Sequence, residues 1–354
     1  MDMTLCNPSL PIGRTSSGNI VYFSPMTAIY QNLSSGTVLV GLPGRGKTNL
    51  LRKILGNAID SGCIIIAVDP KNDLRELLED YPDLLNIDIL SQSNTTLDPF
   101  FVESMSALDI ISFMNVLMPD KKEMIDGIIP IIQDFVLKRD RSGEDLGLMD
   151  LSRYLYGHSS DNARKIGIHL NLISDDSVGK SFFGKRGDKA INISRESQVI
   201  TLGAINIDAD PNTQAGAVSA SVMYMVVYML NQAMSLNVEK HPIIVAIDEF
   251  KIASASDEVV KIVEKLLVLG RSLRVATIIA SQNITHIDEK LSGMFANQFA
   301  FTMSDEEAKI FSKRFVRKEY SKETIAYNIE NLPKYYVTMI DKHRNIASVK
   351  TYQA

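Results

Sequence analysis

Cysteine is nearly absent from the 354-residue chain, which has only Cys6 and Cys63. Two cysteines build neither a disulfide framework nor a thiolate metal site, so a reducing compartment is expected. The five histidines have no metal-ligand spacing such as H-E-x-x-H, and nothing resembles a nucleophile–histidine–acid triad. Positive charge is not in excess: 37 Lys and Arg face 42 Asp and Glu, a net charge of -5. That excludes a surface coated with cations for nucleic acid. The longest nearly apolar run, residues 218–230, is too short and too interrupted by Ser and Tyr to span a bilayer. No signal peptide is expected, and neither an internal repeat nor a low-complexity segment occurs.

What is present is a globular composition. Hydrophobic residues make up 45% and charged residues 22%. This length suggests about two domains.

The sequence is organised around residues 41–48, G-L-P-G-R-G-K-T, which fit the phosphate-binding (Walker A) pattern G-x-x-x-x-G-K-T. Residues 37–40 before it are apolar and β-prone, and residues 49–55 after it have helical spacing. Glycines at that turn let backbone N–H groups converge on an anion, aided by the helix N-terminus. Gly41, Pro43, Gly44, Arg45, Gly46, Lys47, Thr48 and Asn49 are therefore expected to hold ATP. Lys47 would reach the outer phosphates and the Thr48 hydroxyl would ligate Mg²⁺.

A lead-in hairpin turning at Gly18 is expected before the loop, with residues 19–23 as one strand. Residues 63–69 form a continuous apolar run, the mark of a strand buried on both faces. Asp69 at its end is either a ligand-facing acid or a turn cap. A short helix over 74–80 and a strand over 87–90 follow. Residues 96–185 read as a mostly α-helical insertion, with Pro119 at a boundary, Pro130 at a kink and a charged loop over 139–145. Strand texture returns at 198–202, 243–247 and 275–280, separated by helices over 212–236 and 256–269. The Met and Tyr stripe of the first of these helices reads as core. Helices near 304–316 and 321–330 and a strand pair, 335–340 and 344–352, complete the chain.

Hydrolysis needs a metal organiser, a group that orients water, and positive charge for the transition state. Asp248 ends a buried strand and suits the Mg²⁺ role. Glu249, expected to point the other way along the strand, would polarise the attacking water. Gln282 ends the next strand and would reach the same sheet edge; the alternative is an ordinary loop amide. Arg271, at a helix end, is either an arginine finger for a neighbouring subunit or a cation favoured by the helix dipole. Lys309, Lys313, Arg314, Arg317, Lys318 and Lys322, with Phe311, Phe315 and Tyr320 interleaved, are either a solvated helix face or a nucleic-acid contact. The assigned catalytic set is thus Glu249, Lys47, Gln282 and Arg271, and the assigned metal ligands are Thr48 and Asp248.

Taken together, the chain resembles the FtsK/HerA-type branch of RecA-like P-loop motor ATPases. Within that branch it is most similar to the ATPase of type IV secretion and conjugation machines, the fourth VirB component. The resemblance rests on residues 41–48, V-D-P-K at 68–71, L-D-P-F at 97–100, S-F-F-G at 181–184, I-D-E-F at 247–250, G-R-S at 270–272 and S-Q-N at 281–283. It departs at Phe250-Lys251, where secretion ATPases more often have Ala-Trp; D-E-F and G-R-S resemble the related coupling proteins that pump DNA. The resemblance implies an α/β RecA-like fold, with a mainly parallel sheet and a helical insertion lobe. It also implies that the glutamine strand lies between the phosphate-loop and Asp-Glu strands, setting Gln282 against the γ-phosphate. The division expected is 1–95 and 186–354 as two parts of the ATPase core, with 96–185 as the lobe. Further implications are a homo-oligomer, hexameric by resemblance, secretion or conjugation proteins as partners, and weak DNA contact at most. A place at the cytoplasmic face of the cell membrane, reached through partners or a segment outside this chain, is also implied. Because the phosphate loop starts near residue 41, the chain reads as an isolated C-terminal ATPase domain. Three readings compete: a secretion or conjugation ATPase, a DNA-translocating coupling protein, and a nucleotide-gated subunit with negligible turnover.

Overall fold

The structure is a computed structural model. It describes residues 9–352 apart from 91–93, 104, 204, 207–209, 211 and 238. The lead-in hairpin is β1 (Leu10–Thr15) and β2 (Ile20–Phe23), turning through Gly18 at φ +85°. Then come α1 (Pro25–Tyr30), β3 (Gly36–Val40), α2 (Lys47–Asp60), β4 (Ile64–Asp69), α3 (Arg75–Asp80) and β5 (Leu85–Asp88). A helical stretch follows the two-residue β6 (Thr95–Thr96). Its members are α4 (Ala107–Leu117), α5 (Lys122–Asp126), α6 (Ile129–Ser142), α7 (Leu148–Tyr156) and α8 (Asp161–Ser174). The remainder is β7 (Lys189–Ala190), β8 (Gln198–Thr201), α9 (Gln214–Ser235), β9 (Ile243–Ile247), α10 (Asp257–Leu273), β10 (Val275–Ser281), β11 (Phe295–Ala300), α11 (Asp305–Phe315), α12 (Lys322–Glu330), β12 (Tyr336–Ile340) and β13 (Ile346–Thr351).

Among the described residues one eleven-stranded sheet has the order β2-β1-β13-β12-β11-β3-β10-β9-β4-β8-β5. From β11 to β5 every neighbour is parallel, whereas β12, β13, β1 and β2 extend the sheet antiparallel. The unbroken apolar runs are explained by double burial. Ile243, Val245 and Ile247 join Val38 and Val40 in one core, while Ile244 and Ala246 join Leu39 in the other. The glutamine-bearing β10 lies between β3 and β9, as the resemblance implied.

α9 is by length and composition apolar enough to cross a membrane, but it runs buried through the core against α4 and α10. At 22 residues it is also longer than the apolar run visible in the sequence. Among the described residues, α4 to α8 supply no strand to the large sheet, and Phe113, Ile132, Leu151 and Leu170 pack in one cluster with Ile66, Val68 and Ile200 of its strands. Asp98 ties this region together. Its carboxylate is fully buried and accepts N–H groups from Phe100 (3.0 Å), Leu148 (2.8 Å) and Gly184 (3.0 Å).

Several sequence expectations are corrected. Pro130 does not kink a helix; it occupies the first turn of α6, where its missing N–H has no intrahelical partner to lose. The charged residues 139–142 remain helical on an exposed face, and the helix stops at Gly143, φ +66°. Gly270-Arg271-Ser272 lies inside the last turn of α10, which ends at Leu273 with Arg274 as its left-handed cap. Cys63 is buried, and no cysteine among the described residues is free, so it is not the reduced thiol expected; Cys6 lies outside the described residues.

Candidate active site at the carboxyl edge of the sheet

The parallel strands end on one edge, and there the chain turns around a cavity of about 390 Å³. Pro43, Gly44, Gly46, Lys47, Thr48 and Asn49 line it from the loop between β3 and α2. Lys71, Asp73, Asp248, Glu249 and Gln282 line it from the ends of β4, β9 and β10. Lys334 and Tyr335, just before β12, form a further part of the wall.

The loop's glycines are sterically required. A Cβ on Gly41 would stand 2.6 Å from the Phe301 Cβ. Gly46 caps α2 in the left-handed region, φ +107°. Lys47, the first residue of α2, is buried, and its ammonium donates to the Gly41 and Leu42 carbonyls. Burial lowers its pKa, with Asp248 and Glu249 pulling it back up. Arg45 is half-buried and, like Gly41, is not among the lining residues.

Asp248 follows β9 with 7% of its surface exposed. Burial first, and then the nearby charges of Asp69 and Asp73, raise its pKa to about 6 against the hydrogen bond from the Glu249 N–H. A buried acid crowded by acids suits a divalent cation. Among the described residues no three His, Cys, Asp or Glu side chains are grouped to hold a metal unaided. Mg²⁺ in nucleotide sites takes only one or two protein ligands and completes its shell with phosphate and water.

Glu249 does not alternate to the other side of its strand. Its φ of +57° ends the extended geometry, and it lines the same cavity as Asp248. Its Oε2 accepts from Lys71 Nζ and from Gln282 Nε2, each at 2.6 Å. Its Oε1 is buried with no protein partner. Asp69 takes the capping role: its carboxylate accepts the N–H groups of Asp73 (3.0 Å) and Leu74 (2.7 Å). It thereby fixes the turn that carries Lys71 and Asp73.

The segment after Gln282 is clamped from α11. Glu307 accepts from the Ile284 N–H and from the Thr285 hydroxyl, and Arg314 donates to the Ile284 (3.2 Å) and Ile287 (2.6 Å) carbonyls. Much of the basic cluster is likewise engaged within the chain: Lys309 with Asp305, Arg317 with Glu319, and Lys322 with the Lys313 carbonyl. Phe311 and Phe315 are buried.

Lys47, Thr48, Asp248, Glu249 and Gln282 thus meet, whereas Arg271 does not join them. It is exposed near the opposite edge of the sheet and donates to the Asn32 carbonyl at 3.2 Å. Lys71, Asp73, Lys334 and Tyr335 were not assigned from sequence. The strand-ending Asp69-Pro70 was a usable signal for the first two. Nothing local marks the last two, which arrive by the antiparallel return of β12.

A family model described as an AAA-like domain matches residues 19–334, and the chain belongs to that family. The uncharacterized protein YddE of Bacillus subtilis (strain 168) is 24% identical over 334 residues, covering 83% of this chain and 39% of that protein. The chain therefore spans about two fifths of that relative's length. VirB4 of Thermoanaerobacter pseudethanolicus superimposes with a TM-score of 0.78 at 11% identity, over 98% of this chain and 96% of that one. The bacterial conjugative coupling protein TrwB does so with a TM-score of 0.64 at 15% identity, over 90% and 84%. TrwB in complex with a non-hydrolysable ATP analogue gives 0.65 at 16%, over 90% and 86%. The fold is that of these P-loop proteins.

Proposed function

We propose that this AAA-like domain binds and hydrolyses ATP with Mg²⁺ and powers a type IV secretion or conjugation apparatus. The observation that carries the reading is the convergence of Lys47, Asp248, Glu249 and Gln282 on one cavity. The N–H groups of the loop and the start of α2 cradle the phosphates. Lys47 exchanges its own loop's carbonyls for the outer phosphate oxygens. Thr48 and Asp248 would hold Mg²⁺, which neutralises charge on the phosphates when bound. Glu249 polarises the attacking water through the oxygen that has no protein partner, and Gln282 orients that water or the γ-phosphate. A nucleotide-gated subunit without turnover would not need an acid in that position.

Arg271 lies away from the site of its own chain, so any part it takes in hydrolysis would be in the adjacent site of an oligomer, a hexamer by resemblance. Residues 96–185 are proposed as a lobe distinct from the ATPase core of 1–95 and 186–354. The likeness to VirB4 supports partners in a secretion or conjugation machine and a position at the cytoplasmic face of a membrane. The likeness to TrwB supports the second reading, a DNA-translocating coupling protein; the acidic balance and the internally engaged cations oppose it. The test is ATP turnover with Mg²⁺, with and without single- and double-stranded DNA. Turnover that needs no DNA supports the secretion reading, strong stimulation favours the pump, and no turnover by the assembled protein overturns both.

A further inference from the structure

The cavity has two ends, and the water-polarising machinery occupies one. Glu249, Gln282 and Lys71 follow β9, β10 and β4, all on one side of the phosphate-loop strand β3. On the other side lie β11 and β12. Because β12 runs antiparallel to β11, its start falls at the carboxyl edge, beside the loop. Lys334 and Tyr335 sit there. A nucleotide whose terminal phosphate meets Glu249 extends its nucleoside away from that group, toward Tyr335.

Tyr335 holds an unusual backbone conformation at the cavity wall. A bulky residue with φ +66° is a backbone outlier that persists only where its surroundings over-determine it. Here Thr351 does so, donating both its N–H and its hydroxyl to the Tyr335 carbonyl at 2.8 Å. The ring is set against the loop: a Cβ on Gly46 would lie 3.3 Å from Tyr335 Cδ1. The exposed Lys334 ammonium lies over the ring, 4.9 Å from its centroid. A cation on an aromatic face marks a surface that a base can take over by stacking, leaving the flexible lysine free to swing to the phosphates.

We infer that Tyr335 is the base-stacking residue of the nucleotide site, with Lys334 as the cation that the base displaces from its ring. The inference rests on the ATPase reading and adds the recognition of the nucleoside.

The experiment measures binding of ATP and of inorganic tripolyphosphate, each with Mg²⁺, to the parent chain, Tyr335→Ala and Tyr335→Phe. Tyr335→Ala should weaken ATP binding on the order of tenfold, the usual scale for losing one base–aromatic stack. Tripolyphosphate, which has no base, should bind the variant as it binds the parent, and Tyr335→Phe should bind ATP as the parent does. Equal weakening of both ligands would mean that Tyr335 only shapes the loop beside Gly46, and unchanged ATP affinity would mean that the base goes elsewhere; either overturns the inference. A parent chain that binds neither ligand would instead refute the phosphate-loop reading itself.

Discussion

Two buried carboxylates, in two regions, are held in opposite ways. Asp98, in the helical region, accepts three backbone N–H groups from three separate segments. Glu249, at the sheet edge, is held by two side chains on one oxygen and leaves the other unpartnered in the protein. Backbone donors cannot leave without unfolding something; side-chain donors swing away at the cost of a rotamer change. The first arrangement fixes architecture. The second keeps a group available for chemistry, and an unsatisfied buried oxygen in a native protein points to such use.

The comparison can be broken, beginning with the largest effect. If Glu249 works in a cavity whose lining, among the described residues, includes no arginine, the missing charge would come from a neighbour. Arg271→Ala should then reduce turnover on the order of 10³–10⁵-fold, the usual scale for an arginine finger. Mixing Arg271→Ala with Lys47→Ala subunits should restore part of the activity, because each supplies what the other lacks. Mixed oligomers without recovery would leave Arg271 as a helix-end cation. Arg314 would be a poor substitute, since it is committed to the Ile284 and Ile287 carbonyls.

Glu249→Gln should come next, lowering turnover roughly 10²–10⁴-fold while nucleotide binding is kept. Parental turnover in that variant would remove Glu249 from the chemistry and erase the contrast with Asp98.

Asp98→Ala should do the reverse. Three buried N–H donors lose their acceptor, each worth about 1–3 kcal/mol if left unsatisfied. A loss of about 3 kcal/mol or more is expected in denaturant unfolding, with ATP turnover of the folded fraction little changed. Equal stability of variant and parent would show that the anchor is not one.

The smallest step, taken per unit of pH, concerns the titration of Asp98. Burial pushes Asp98 to about 7, against the pull of its three N–H donors. Between about pH 4 and 7 the folded chain then holds a proton that the unfolded chain has released. That contribution to stability is complete at the acid end and is lost as pH rises through 7, at most about 1.4 kcal/mol per pH unit. Unfolding followed from pH 4.5 to 7.5 should show a shallower fall for Asp98→Asn than for the parent.

Much of this was legible in the sequence because buried parallel strands write themselves plainly. Residues 64–68 and 243–247 are unbroken apolar runs, 275–280 is interrupted only by Thr277, and the polar residues ending them had to lie on one edge. The phosphate loop followed from its own G-x-x-x-x-G-K-T pattern, and Asp248 and Gln282 from that shared edge. Glu249 was found but aimed wrongly, because alternation along a strand fails where φ turns positive. The residues 139–142 were taken for a loop on their charge, although an exposed helix face carries charge equally well. Lys71 and Tyr335 depended on partners 178 positions away for the first and 16 for the second, and no local pattern records such contacts.

The left-handed backbone at Glu249 sets stability against the role proposed for it. Glycine adopts φ +57° without steric cost and would also remove a carboxylate buried at some expense in lost hydration. Selection for thermal robustness alone would therefore drift toward glycine at this position. If Glu249 is the water-polarising acid, its side chain answers to a chemistry that folding does not ask for.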